Sequence, residues 1–183
     1  MDAFVYLRIS TGAMAPVLAE LATKPGAKRA VVTVGDWDVL LHVSGPDLGT
    51  IANAMVSEIH GVDGVERTLT VPVIPAERLG LLGELGQTLP PILPNACYVQ
   101  LRVKAGHALD VYEALRQIPE IAGVAIVGGA WDLLVCVPQP WEIASGVILE
   151  QIHAIDGILA TGTLVSIAYE EPEEDRDQFS SWS

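Results

Sequence analysis

The feature that most constrains this chain is that its sequence repeats. The segment Gly35-Asp36-Trp37-Asp38, which lies between two apolar runs, returns 94 residues later as Gly129-Ala130-Trp131-Asp132. At the same offset of 94, residues 5–9 match 99–103, and after one deletion the offset becomes 93. Ordered matches over about 70 residues indicate a tandem duplication. Such a repeat restricts the fold before any other pattern is considered.

Each repeat is predicted to have the order β-α-β-β-α-β. Strands are indicated by β-branched apolar runs and helices by apolar residues at helical spacing. The predicted strands are 4–9, 30–34, 39–43 and 65–74, then 97–104, 122–127, 133–137 and 158–169; the predicted helices are 12–22, 46–59, 108–118 and 141–153. Right-handed crossovers favour a ferredoxin-like sheet with both helices on one face. The other face is apolar and needs a cover, so the two sheets are predicted to pack against each other.

The chain is expected to divide into two units, a linker and a tail. The first unit spans 1–74 and the second 96–169. The linker, 75–95, contains a weak helix over 77–89, followed by prolines that require an extended chain. The tail, 170–183, is acidic and is predicted to be disordered.

Composition excludes several classes of function. The net charge of −13 argues against direct binding of nucleic acid, which needs clustered basic residues. No apolar run reaches the roughly 18 residues of a membrane span, and no secretory signal is visible, so a cytoplasmic protein without membrane contact is expected. Cys97 and Cys136 each lie in an apolar run, which favours two buried reduced thiols over a disulfide.

Signatures of catalysis are missing from the sequence. There is no nucleophile elbow, no phosphate-cradling loop, and no cysteine at metal-ligand spacing from a histidine. The sequence therefore predicts no catalytic residue, no metal ion and no cofactor, and the protein is expected not to be an enzyme.

The order of motifs resembles a known family of regulators. Strand, helix, strand, Gly-x-aromatic-Asp, strand, helix, Asp-Gly-Val, Arg-Thr-x-Thr and strand follow one another as in the effector-binding (RAM) domain of the Lrp/AsnC family. The resemblance covers 4–74 and 97–169, without the family's helix-turn-helix. It implies a fold of the dimeric α/β barrel type, here an α+β pseudo-dimer of two ferredoxin-like βαββαβ units. It also implies homo-oligomers that bind a small effector, usually an amino acid, between subunits.

The same resemblance implies a set of effector-binding residues. In the family the pocket lies between the Gly-x-aromatic-Asp turn of one unit and the Thr-x-Thr strand of a neighbour. A carboxylate there can hold an ammonium group, and a glycine allows close approach of the backbone. Carried over residue by residue, the set is Gly35, Asp36, Trp37, Asp38, Thr68, Thr70, Gly129, Trp131, Asp132, Thr161 and Thr163. Because Ala130 replaces Asp36 in the second copy, the two sites need not bind the same ligand.

Structural roles are alternatives for the same residues. The turn tryptophans can simply pack, and the turn aspartates can cap backbone amides. His60 and His153 recur at the C-terminus of a helix, where a partial positive charge is favourable, so a structural role is preferred for them. Arg8 and Arg102 recur within a strand, which favours a polar face or an ion pair.

Three functions follow from these patterns. The prediction is a stand-alone, ligand-binding transcription regulator that senses an amino acid, with DNA contact left to a separate partner protein if there is any. One alternative is a dimeric α/β barrel enzyme that acts on a small apolar substrate between the sheets, since fold alone does not exclude chemistry. The other is an assembly module that makes contact through the tail, by Phe179 or Trp182.

Overall fold

The computed structural model describes residues 1–79 and 88–170 as two successive units of the same plan. The first unit consists of β1 (Asp2–Ile9), α1 (Met14–Leu21), β2 (Ala27–Val34), β3 (Val39–Ser44), α2 (Leu48–Ala54) and β4 (Val65–Pro72). The second unit consists of β5 (Cys97–Val103), α3 (Ala108–Arg116), β6 (Gly123–Ile126), β7 (Leu133–Val137), α4 (Trp141–Gly146) and β8 (Ile158–Ile167). The predicted α+β fold of two ferredoxin-like units is confirmed.

The eight strands join into one closed sheet through two seams. Their order is β4-β1-β3-β2-β8-β5-β7-β6. At the first seam, β2 pairs with β8 and Thr33 lies opposite Ser166. At the second seam, the chain just after β4 meets the chain just after β6, with Val73 opposite Val127. These two pairs occupy equivalent positions in the two units, so the seams share one register and the barrel has a pseudo-twofold axis.

Successive side chains along each strand point alternately to the helices outside the barrel and to the barrel interior, so the protein has separate cores on the two sides of the sheet. In β1, Val5 and Leu7 pack beneath the helices, whereas Phe4 and Tyr6 belong to the interior cluster. The interior cluster contains residues of both units, among them Leu40, Tyr98, Leu134 and Cys136. Because both faces of the sheet are buried, the strands are apolar on both faces, as their sequences indicate. Cys97 and Cys136 are both free and buried, as predicted.

The second helix of each unit differs from the prediction of one continuous α-helix. After α2 the chain widens into a π-helical turn over Met55–Ile59, and after α4 it does so over Val147–Ile152. The amides of His60 and His153 each donate to a carbonyl oxygen five residues earlier, at 2.9 Å. Such turns inside helices often mark functional positions. Here they place the two recurring histidines beside the last strand of each unit.

The linker is described at its two ends only. It begins with a 3-10 turn over Ala76–Leu79 and returns at Thr88. Its extended second part is fixed to the sheet, because the Tyr98 hydroxyl accepts from the Leu93 amide at 2.6 Å and donates to the Pro91 carbonyl oxygen at 2.8 Å. Most of the predicted linker helix, and the tail beyond residue 170, lie outside the described residues. Among the described helices, none has the length and hydropathy needed to cross a membrane.

Candidate functional site

The predicted site begins at two turns, which we call the first corner (residues 35–38) and the second corner (residues 129–132). In each corner the aspartate fastens the turn to the neighbouring strand. Asp38 Oδ2 accepts from the Ile9 amide at 2.8 Å, and Asp132 Oδ2 accepts from the Val103 amide at 2.8 Å. Asp38 Oδ1 lies 3.7 Å from a guanidinium nitrogen of Arg8. Since hydrogen bonds to a carboxylate are strong, both aspartates hold the fold together, and contact with an effector stays a prediction.

The two tryptophans belong to the barrel interior but differ in exposure. Trp37 is only 9% exposed, and its ring lies 6.0 Å from the Tyr6 ring. Trp131 is half-buried and packs at the edge of the same cluster. A guanidinium group covers each indole: Arg67 lies 5.4 Å from the Trp37 ring and Arg102 lies 5.5 Å from the Trp131 ring. Both tryptophans therefore pack in the interior, as the structural alternative expects, and Trp37 does so more completely than Trp131.

The glycines show that the first corner is closed and the second is open. Gly35 has φ +143°, and a Cβ added to it would lie 2.7 Å from Leu164 Cδ2 in the second unit. Gly129 has φ +110°, and an added Cβ would meet no atom of the described residues within 4 Å. Asp36, the other predicted residue of the first corner, is exposed. Only the second corner therefore leaves its turn free for an additional group.

The four predicted threonines lie on the opposite face of the sheet from the tryptophans. Their cross-strand partners all pack beneath the helices, and directly opposed residues share a face. The pairs are Thr68 with Leu7, Thr70 with Val5, Thr161 with Leu101 and Thr163 with Val99. A single chain therefore does not bring the corners and the threonines of one unit together.

Two of these threonines are bonded to the recurring histidines. His60 Nε2 lies 2.7 Å from Thr68 Oγ1, and His153 Nε2 lies 3.0 Å from Thr161 Oγ1. The π-helical turns supply the histidines and the last strands supply the threonines. The histidines therefore orient the threonine hydroxyls, and the role at the helix end that the sequence favoured stays a prediction.

A pocket that the sequence did not predict adjoins the first of these pairs. It has a volume of ≈ 230 Å³ and is lined by His60, Val65, Glu66, Arg67 and Thr68. A β-bulge creates it, because Arg8 lies opposite Arg67 and Ile9 lies opposite Val65, which leaves Glu66 without a partner. Bulges re-aim side chains and are frequent beside active sites. We call this the bulge pocket.

The second unit has the same bulge without the charges. Arg102 lies opposite Ala160 and Val103 lies opposite Ile158, so Leu159 is the extra residue. Leu159 and Ala160 stand where the first unit has Glu66 and Arg67. The sequence shows this difference when the repeats are aligned, but only the strand register reveals that it falls on a bulge.

The barrel interior holds a second group of polar atoms. Tyr6 and Gln100 occupy equivalent positions in the two units, and both side chains are buried. Tyr6 Oη and Gln100 Nε2 make no hydrogen bond of ordinary geometry among residues 1–79 and 88–170, although the Gln100 side chain is close enough to the Tyr6 hydroxyl to act on its pKa. Burial raises the pKa of Tyr6 far above its ordinary value, so this hydroxyl remains a neutral group that can donate a hydrogen bond.

Comparison with known proteins gives no match by sequence and several by structure. No protein-family model matches the chain, and no curated protein does. The siroheme decarboxylase NirDL matches with a TM-score of 0.66 and 10% identity, over 92% of this chain and 71% of that chain. A Fusobacterium nucleatum protein assigned as a monooxygenase matches with a TM-score of 0.52 and 9% identity, over 91% of both chains. E. coli AsnC matches with a TM-score of 0.38 and 14% identity, over 53% of this chain and 68% of its own.

These structures correct one expectation. The sequence predicted that the protein is not an enzyme, and that prediction is wrong, because an enzyme, the decarboxylase NirDL, has this fold over nine tenths of the chain. Missing sequence signatures do not exclude catalysis in a fold of this class. The likeness itself shows the fold alone.

Proposed function

We propose that this protein is a regulatory module that binds a small zwitterion, of the amino-acid class, in the bulge pocket of its first unit. The observation that carries the proposal is the pair of opposite charges, Glu66 and Arg67, that a β-bulge places beside the His60–Thr68 pair. At ≈ 230 Å³ the pocket is smaller than the roughly 300 Å³ at which sites for drug-sized ligands begin, which suits a small metabolite.

The lining supplies one partner for each end of an amino acid. The Arg67 guanidinium lies 5.4 Å from the Trp37 ring, and we infer that it turns from that ring to donate to a carboxylate in the pocket. The Glu66 carboxylate accepts from an ammonium group. The Thr68 hydroxyl, held by His60, provides a third polar contact. Because Leu159 and Ala160 replace both charges in the second unit, we expect one ligand for each chain.

The remaining predicted residues fit an assembly of chains. Within one unit the corner and the threonines lie apart, and the first corner meets the second unit at the backbone of Thr163. We infer that an effector which touches the second corner and a threonine hydroxyl needs a second chain. We propose that the second corner, with Gly129, Trp131 and Asp132, is presented to the threonine face of a neighbouring copy in a homo-oligomer. Its open turn supports this arrangement, since no atom of residues 1–79 or 88–170 lies within 4 Å of a Cβ added to Gly129.

Two further parts of the proposal concern ancestry and DNA. The equal register of the two seams supports a tandem duplication, with units over 1–74 and 96–169 joined by a linker.

The net charge of −13 supports a module that does not bind DNA directly. A mobility-shift assay with random-sequence duplex at low salt is expected to show no complex, and a salt-sensitive complex would contradict this part alone.

Calorimetric titration with the twenty amino acids at millimolar concentration tests the ligand proposal. At least one is expected to bind with about one site for each chain. The change Glu66→Gln removes the charge for the ammonium group and is expected to weaken binding about tenfold or more, as expected for a charge-assisted hydrogen bond worth about 1.5–3 kcal/mol. The control Glu150→Gln removes an equally exposed acid from the second unit and is expected to leave affinity unchanged. No binder in the set, or an equal loss in both variants, would overturn the proposal.

A second candidate function is an enzyme whose substrate enters the barrel interior. The observation that favours it is the pair of unpartnered polar atoms of Tyr6 and Gln100. Unpartnered buried groups cost stability, so their presence needs a reason outside folding. The change Tyr6→Phe is expected to raise the free energy of unfolding if the hydroxyl serves a substrate. A fall in that free energy would show that the hydroxyl stabilises the fold and would remove this candidate.

A further inference from the structure

The linker occupies a groove on the second unit. This groove lies between α3 and the edge of β6 that faces away from β7. The Val124 amide donates to the Thr88 carbonyl oxygen at 2.9 Å. Beside it, a Cβ on Gly123 would lie 2.5 Å from the Leu89 carbonyl oxygen, so only a glycine permits this close approach. A pocket of ≈ 180 Å³ remains beneath the linker, against Tyr112 and Arg116.

The first unit has the same groove, and no described residue fills it. Its pocket measures ≈ 310 Å³ and lies between α1 and the edge of β2. Leu18, Ala22 and Ala30 line it at positions equivalent to Tyr112, Arg116 and Val124 in the occupied groove. β2 pairs with β8 only over 32–34. From Ala27 to Val31, the edge of β2 that faces away from β3 therefore has no paired strand within residues 1–79 and 88–170.

The pseudo-twofold axis relates a particular segment of the chain to this groove. The linker is the chain that follows β4, and it covers the second unit. The equivalent segment for the first unit is the chain that follows β8. Ile167 lies opposite Val32 in an antiparallel pair, so the chain beyond it heads towards Ala30 and Lys28. Thr88 and Leu89 follow Ile74 by 14 and 15 residues, and the same separations after Ile167 fall on Ser181 and Trp182.

The charges of the groove and of this segment are complementary. Two exposed cations, Lys28 and Arg29, line the groove of the first unit, where the occupied groove has the uncharged Ala122 and Gly123. The linker over 88–95 has no charged residue. The segment after Tyr169 carries six acids and one arginine: Glu170, Glu171, Glu173, Glu174, Asp175, Asp177 and Arg176. The groove of the first unit therefore has two cations and an acidic segment to match them, whereas the occupied groove has one cation, Arg116, and an uncharged linker.

We propose that residues 170–183 dock in cis along the α1–β2 groove of the first unit. The tail carboxylates contact Lys28 and Arg29, and Trp182 contacts the apolar floor formed by Leu18, Leu21 and Leu41. Arg29 replaces Gly123, so the tail lies farther from the strand edge than the linker does and makes contact through side chains. The contact is consequently sensitive to salt, because exposed charge pairs are screened.

Carbodiimide cross-linking of the full-length chain followed by peptide mass spectrometry tests this proposal. The chain has only three lysines. Lys24 is already paired with Glu20 at 2.9 Å, and Lys104 lies beyond the opposite end of β5 from the last residues of β8. The expected result is a dominant amide link between Lys28 and a carboxylate of the tail, with the tail–Lys104 link at least severalfold weaker.

Two further arms make the outcome decisive. Arg29→Glu keeps the reactive lysine but reverses a charge of the groove, and it is expected to lower the yield of the Lys28 link severalfold. The matched control Arg78→Glu reverses an exposed charge elsewhere and is expected to leave the yield unchanged. Mixing ¹⁴N and ¹⁵N chains is expected to give links within single chains only. Equal links to Lys28 and Lys104, no effect of Arg29→Glu, or mixed-isotope links would overturn docking in cis.

Discussion

Alanine substitutions at the two corner glycines, Gly35 and Gly129, measure how closely the two units pack against each other. Both have positive φ, so alanine at either position costs about 1–2 kcal/mol of backbone strain. At Gly35 the added methyl group would also lie 2.7 Å from Leu164 Cδ2 and 3.3 Å from the Thr163 carbonyl oxygen. Leu164 is 2% exposed and cannot turn into solvent, so overpacking adds about 1–3 kcal/mol. Gly35→Ala is therefore expected to cost about 2–5 kcal/mol and Gly129→Ala about 1–2 kcal/mol.

Urea titration followed by far-ultraviolet circular dichroism measures both losses in free energy of unfolding. A double variant, Gly35→Ala with Leu164→Ala, supplies the control, because the smaller side chain leaves room for the methyl group. Its total loss is expected to fall short of the sum of the two single losses by about 1 kcal/mol or more, as for residues in contact. The reasoning fails if the two glycine variants lose equal stability, or if the double variant is additive.

The other predictions concern the corner carboxylates and the thiols. Asp132→Ala leaves the Val103 amide without its acceptor and is expected to lower the free energy of unfolding, measured by urea titration, by about 1–3 kcal/mol. Asp132→Asn keeps an acceptor oxygen and is expected to lower it less. Equal losses in the two variants would contradict this prediction. Burial raises the pKa of Cys97 to about 11 and that of Cys136 to about 12. Neither thiol is therefore expected to react with Ellman's reagent near pH 8 until the chain unfolds. Rapid reaction of the native protein would contradict this prediction. Because the unfolded thiols ionise near pH 9.0 and the folded ones do not, the free energy of unfolding is also expected to fall as pH rises from there towards 11.

The sequence predicts the fold well because the fold depends on the repeated pattern. Matching strands, helices and turns at a nearly constant offset require two similar units, and apolar runs without polar alternation require both sheet faces to be covered. The burial of Cys97 and Cys136 follows from the same runs. The repeated pattern does not show how the two units differ in packing. A Cβ added to Gly35 would meet Leu164 of the other unit, whereas one added to Gly129 would meet no described atom within 4 Å.

The sequence constrains the candidate site less than it constrains the fold, because the faces of a sheet depend on register. The resemblance implies one site for Trp37 and Thr68, yet Thr68 lies opposite Leu7 and so faces the helices, while Trp37 faces the interior. A shift of one residue would exchange those faces, and no sequence pattern fixes it here. The bulge at Glu66 is likewise a property of the pairing between β1 and β4. The bulge pocket could therefore be found only in three dimensions.

The shared interior has a consequence for how the protein unfolds. Two independent domains would each keep a core of their own, but here Phe4, Tyr6 and Trp37 pack in the same cluster as Tyr98 and Leu134. Separating the units would break both seams and would expose this cluster to water. Exposure costs roughly 25 cal/mol for each Å² of apolar surface. The units are therefore expected to unfold in one cooperative transition, with tryptophan fluorescence and circular dichroism giving coincident urea curves. Two resolved transitions would show that each unit is stable alone and that the barrel interior contributes little to holding them together.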